Sequence, residues 1–142
     1  MDTEAFARIG EGRLPGLLGV EILGVAEGHA DARLEIRDEL LAPNGYLHAA
    51  TVVALADTVS GYGCVASLPE GATGFTTIEL KANFLGTVTE GTLRCETVLV
   101  HGGRTTQVWD ATVTSEESGK TIALFRCTQL LLYGGARGGV MT

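Results

Sequence analysis

Apolar and polar residues alternate along 29–37. Ala30, Ala32, Leu34 and Ile36 fall on one face, and Asp31, Arg33, Glu35 and Arg37 on the other. A period of two with one charged face predicts a half-solvated antiparallel strand. Residues 17–26 read as a strand before it, and Gly28 as the turn that joins the two into a hairpin. Further on the period changes. Between residues 49 and 67 apolar side chains cover almost the whole circumference of a helix, and such a helix is buried. The cluster 69–74 breaks the chain. Residues 75–85, 93–101, 105–114 and 121–133 then read as strands, divided by turns at Glu90-Gly91, Gly102-Gly103 and Ser118-Gly119. Short connections make consecutive strands antiparallel neighbours. Residues 2–12 form a short helix stopped by Gly10 and Gly12. The order β-β-α-β-β-β-β, with one buried helix among antiparallel strands, predicts an α+β domain whose curved sheet wraps the helix. No repeat or linker divides residues 1–142. The core spans about 14–133, and the Gly-rich stretch 134–142 is expected to fray.

A chain of 142 residues with 45% hydrophobic content suits one core. Its net charge of −7 argues against nucleic acid and anionic membranes as partners, so an anionic ligand would need local cations. Cys64, Cys95 and Cys127 are odd in number and lack metal-ligand spacing, which predicts reduced thiols, a cytoplasmic setting and no metal site. The acidic N-terminus lacks a signal peptide's design, and Pro43, Asn44 and Gly45 break the charge-free stretch too early for a membrane span.

One residue conflicts with the apolar helix. Asp57 is the only charged side chain between Glu39 and Glu70. Its position in mid-helix excludes an N-cap role. A carboxylate in an apolar helix is costly unless it is paired, hydrogen-bonded or functional. Asn44 and His48 precede the helix, and the first free helical amides fall near Ala49 and Ala50.

His48-Ala49-Ala50 followed by Leu55-Ala56-Asp57 resembles the His-Gly-Gly…Leu-Ala-Asp signature of hotdog-fold acyl-CoA thioesterases, in the PaaI-type and 4-hydroxybenzoyl-CoA thioesterase branch. The spacing is 57 − 48 = 9. The segment His101-Gly102-Gly103-Arg104-Thr105-Thr106 with Trp109-Asp110 resembles the same family, and the likeness covers about residues 14–133. The resemblance implies a hotdog fold and hydrolysis of acyl-CoA thioesters. The acyl group would be aryl, phenylacetyl or medium-chain, with phenylacetate degradation as the setting. Asp57 would be general base or nucleophile, and the Ala49 amide the oxyanion donor. His48 and Asn44 would shape the loop. Gly103, Arg104, Thr105 and Thr106, with Lys81 as a further cation, would hold the coenzyme A part of the substrate. No separate cofactor is implied.

Asp57 and Ala49 stand on one helix, 8 residues or roughly 12 Å apart, too far to serve one carbonyl. The site therefore calls for a dimer with Asp57 facing a second copy's Ala49, and the long apolar final strand allows a dimer of dimers. The chain departs from the family pattern in three places. Ala49-Ala50 replaces the usual glycine pair, Ala42 stands where an Asn is common, and Asp57 with Gly61 replaces the Glu and Thr of the 4-hydroxybenzoyl-CoA relatives. Two rival readings are a hotdog enoyl-CoA hydratase or dehydratase, whose hydration would consume enoyl absorbance, and a non-catalytic acyl-CoA-binding module, which would bind without turnover.

Overall fold

The computed structural model describes residues 2–134. Two short helices, α1 (Thr3–Gly10) and α2 (Leu14–Leu18), precede the strands β1 (Glu21–Ala26) and β2 (His29–Glu35). The long helix α3 (Ala49–Ala66) follows, then β3 (Ala72–Phe84), β4 (Thr92–Gly102), β5 (Thr106–Ser115) and β6 (Thr121–Tyr133). The six strands form one antiparallel sheet in the order β1-β2-β4-β5-β6-β3, curved around α3. This is the α+β hotdog layout that the element order predicts. Ala32, Leu34, Leu93, Cys95, Phe75, Trp109 and Val113 line its inner face against Leu55, Ala56 and Val59 of α3. By length and composition α3 is apolar enough to cross a membrane, yet it packs inside this sheet.

Four expectations need correction. Residues 17–26 are not one strand, because Leu14–Leu18 are helical and β1 begins at Glu21. Pro15 sits in the first turn of α2, Gly19 ends it at φ +84°, and Arg37 Nη1 donates to Leu18 O at 2.8 Å. That last bond reaches across 19 residues, out of range of a local reading. Arg37 thus lies beyond β2 rather than within it.

Consecutive strands are not always neighbours either. β3 pairs with β6 at the sheet edge, while β4 pairs with β2 and β5. The connection between β3 and β4 instead passes the head of α3, where Leu47 N donates to Val88 O at 2.9 Å.

Nor is α3 buried all round. Ala49 and Ala50 are exposed, and Val53, Ala54 and Asp57 are partly so. These positions share one helical stripe, which faces away from the single sheet. Residues from 135 on, where fraying is expected, lie outside the described residues.

Gly63 shows how closely helix and sheet approach. A Cβ there would meet two ring atoms of Trp109 at 2.8 Å. The ring cannot yield, since Trp109 is fully buried and its Nε1 donates to Gln107 Oε1 at 2.8 Å. Gly63→Ala is therefore expected to destabilise the fold by about 1–2 kcal/mol, overpacking outweighing the helix-propensity gain. A denaturant melt measures this.

Candidate active site

The chain reverses before α3 in a tight turn. Gly45 takes φ +88°, Tyr46 N donates to Asn44 Oδ1 at 3.1 Å, and Ala42 N donates to Tyr46 O at 2.7 Å. Asn44 is exposed, and its side-chain oxygen is engaged in this turn. His48 is the N-cap of α3. Its Nδ1 accepts from Ala50 N at 2.9 Å, which places the proton of the neutral ring on Nε2. Thr51 N donates to His48 O at 3.0 Å. The Ala49 amide alone in this first turn has no acceptor among the described residues. It stands at the positive end of an 18-residue helix. Beside it opens a cavity of about 280 Å³, lined by Leu47, Ala49, Val52, Phe84, Gly86, Thr87 and Ile122. No charged side chain lines it.

Asp57 lies two turns further on, half-buried. Burial pushes its carboxyl above the ordinary range, and a hydrogen bond from Thr77 partly offsets the rise. Thr77 Oγ1 is 3.4 Å from Asp57 Oδ1 and donates to Gln129 Oε1 at 2.7 Å. Gln129 is fully buried between Thr77 and Cys127. A β-bulge between Thr77 and Glu79 bends β3 at this point. Thr77 and Gln129 were not legible as site residues. Thr77 reads as an ordinary strand threonine, and its link to Gln129 spans 52 residues through the pairing of β3 with β6.

Gly103, Arg104, Thr105 and Thr106 cluster at the β4–β5 hairpin. Gly103 N donates to Thr106 O at 2.9 Å, Leu131 N donates to Thr105 O at 2.9 Å, and Tyr133 Oη donates to Arg104 O. Arg104 is exposed and makes no ion pair among the described residues. Lys81 does not join this cluster. It lies opposite Arg126 on β6, while Thr106 lies opposite Leu130, roughly 13 Å further along that strand. Lys81 Nζ donates to Asn83 Oδ1 at 3.1 Å on the outer face of the sheet. Among the described residues no group of His, Cys, Asp and Glu is arranged to hold a metal ion.

Residues 44–122 match the thioesterase superfamily profile. The chain is 32% identical over 111 residues to 1,4-dihydroxy-2-naphthoyl-CoA hydrolase of Listeria monocytogenes, covering 78% of this chain and 89% of that one. It is 29% identical to the acyl-coenzyme A thioesterase PaaI of Escherichia coli, covering 77% and 75%. Among solved structures, a thioesterase from Haemophilus influenzae superposes with a TM-score of 0.86 at 26% identity, covering 94% and 92%.

Proposed function

Since this chain belongs to the thioesterase superfamily and is a thioester hydrolase of hotdog fold, we propose that it hydrolyses aryl-CoA esters, with Asp57 and the Ala49 amide as the reacting pair. The observation that carries the site is the unspent Ala49 amide at the head of the helix that bears Asp57. A thioester oxygen on that amide gains a preorganised donor where negative charge develops. Asp57 then acts on the carbonyl carbon, either by taking a proton from attacking water or by attacking directly. The bond to sulfur breaks and the thiolate leaves, taking the proton that came from water; on the direct route water then cleaves the acyl anhydride, releasing the acid and restoring the Asp57 carboxylate.

The acyl group enters the cavity beside Ala49, whose uncharged lining of about 280 Å³ suits an aromatic ring or a medium chain. The Listeria relative acts on a bicyclic aromatic acyl-CoA, which supports the aryl choice. The Arg104 hairpin supplies an exposed cation for the phosphates of coenzyme A, which is part of the substrate, and no cofactor is needed. Three buried, free thiols suit a reducing cytoplasm.

The active unit is a dimer. β3 is an edge strand with Ile78, Leu80 and Phe84 exposed, next to the uncovered stripe of α3. Antiparallel pairing of two β3 strands about a two-fold axis near their middle brings the Thr77 end of one to the Phe84 end of the other. Asp57 of one copy then lies beside the Ala49 cavity of the second. The outer face of the sheet, with Val98, Val100 and Leu124 exposed, lets two dimers join.

A panel of phenylacetyl-, benzoyl-, naphthoyl- and straight-chain CoA esters, followed by release of free thiol, tests the substrate class. The expected outcome is a kcat/KM at least tenfold higher for an aromatic ester than for any straight-chain one, the scale of a good pocket contact. A best substrate among the straight chains would reverse the choice.

A further inference from the structure

Thr77 carries one hydroxyl proton, and two acceptors compete for it. Gln129 Oε1 lies at 2.7 Å and Asp57 Oδ1 at 3.4 Å, so the glutamine takes it. The other end of the same carboxamide, Nε2, rests 3.5 Å from Cys127 Sγ. Gln129 is fully buried, so its groups depend on these neighbours. Rotated by half a turn about its last torsion, the carboxamide would present N–H to the Thr77 oxygen, and the Thr77 proton would swing to Asp57. Cys127 tolerates both orientations, because a thiol accepts weakly from N–H and donates weakly to a carbonyl oxygen. Each arrangement leaves both ends of the carboxamide partnered.

We propose that Gln129 is a positioning residue for the hydrolysis. Its carboxamide turns with the charge on Asp57 and so decides whether Thr77 donates to that carboxylate. The inference rests on the reading of Asp57 as the reacting group. While Asp57 is an anion it receives the Thr77 proton. Once Asp57 has taken a proton it no longer needs a donor, and the hydroxyl returns to Gln129. A fixed donor would hold Asp57 in its charged form and make it a poorer base.

Within one chain few other groups face this exchange, and in the proposed dimer the nearest titratable group of the second copy is the His48 that caps its α3. β3 faces Asp57 with the Thr77 hydroxyl, and β6 faces it with Cys127. Cys64 of α3 lies beyond Cys127. Burial, helped by nearby Asp57 for Cys127 and by Cys127 for Cys64, pushes both thiols up to about 12, so they stay neutral. No charged side chain among the described residues contributes to the shift of Asp57.

The chain has two glutamines, Gln107 and Gln129, which gives a test in the unmutated protein. Gln107 is held at both ends, donating to Ser67 O and accepting from Trp109 Nε1, each at 2.8 Å. In protein labelled with 15N at glutamine side chains, the Gln129 amide signals should move across the pH range in which kcat/KM titrates, while those of Gln107 stay still. Asp57→Asn should abolish the movement.

Kinetics gives the second arm. Gln129→Met removes the competing acceptor, so the acid limb of kcat/KM should move to lower pH and kcat should fall about tenfold, the scale of one hydrogen bond to a charged group. Thr77→Val should move the limb to higher pH, Thr77→Ser should keep the original profile, and Thr77→Val with Gln129→Met should behave as Thr77→Val alone. Gln129 signals that stay flat while an inactive Asp57→Asn confirms the carboxylate would overturn this inference alone. So would an equal effect of Gln129→Met with Val at position 77. Full activity in Asp57→Asn would instead remove the reading beneath it.

Discussion

Replacing Asp57 by Asn should cut thioester turnover by about a thousandfold or more while raising the melting temperature at neutral pH. The loss follows from chemistry. A carboxamide has the shape of the carboxylate and can accept from Thr77, yet it can neither take a proton from water nor form an anhydride. The gain in stability follows from the direction of the shift. Burial raises the folded-state pKa of Asp57 above its unfolded value, so the folded chain holds that proton more tightly. Stability contributed by Asp57 therefore falls as pH rises through the window between the two values, and above that window the charged side chain is a net cost. Asn carries no such cost. The gain in melting temperature should vanish at pH values below the ordinary carboxylate range, where Asp57 is neutral in both states. An Asp57 held in a structural ion pair would give the opposite sign, a loss of stability on replacement. Calorimetry beside the thiol assay reads both effects. A single turnover in H2-18O then probes the route: heavy oxygen in the Asp57 carboxylate requires an anhydride that water opens at the Asp57 carbonyl, whereas general-base attack puts all of it into the released acid.

Asp57 could be singled out from the sequence because its signal is local: one charge in an apolar helical run, with His48 nine residues before it. The helix and most strands follow from period alone. What escaped reading depends on contacts between distant segments. α2 is fixed by Arg37 from beyond β2, and Thr77 meets Gln129 only once β3 has paired with β6. Lys81 illustrates the converse. Composition gives it the same weight as Arg104, but the register places it on the outer face, beside Asn83 and away from the hairpin. Even the burial of α3 is half legible, because its apolar circumference matches both the side that packs on the sheet and the stripe that the sheet leaves uncovered.

That open stripe leads to the second large effect. Ala49→Pro should lower kcat by about 10²–10³ with little change in stability. Proline suits the first position of a helix, where the amide has no internal partner. The Ala49 amide has no acceptor among the described residues, and His48 at φ −70° and ψ 134° already has the conformation required before proline. The substitution therefore deletes the proposed oxyanion donor and little else. Ala49→Val adds similar bulk but keeps the amide, so turnover well above that of the proline variant isolates the donor from the crowding. Mixing then tests whether the site is shared. Asp57→Asn and Ala49→Pro are each inactive as homodimers. A heterodimer of the two has one doubly damaged site and one site with both Asp57 and the Ala49 amide intact. Co-refolded in equal amounts, half the dimers are mixed and half of their sites work, so about a quarter of the original activity should return. A site built within one chain would regain nothing, because every chain in the mixture carries a lesion.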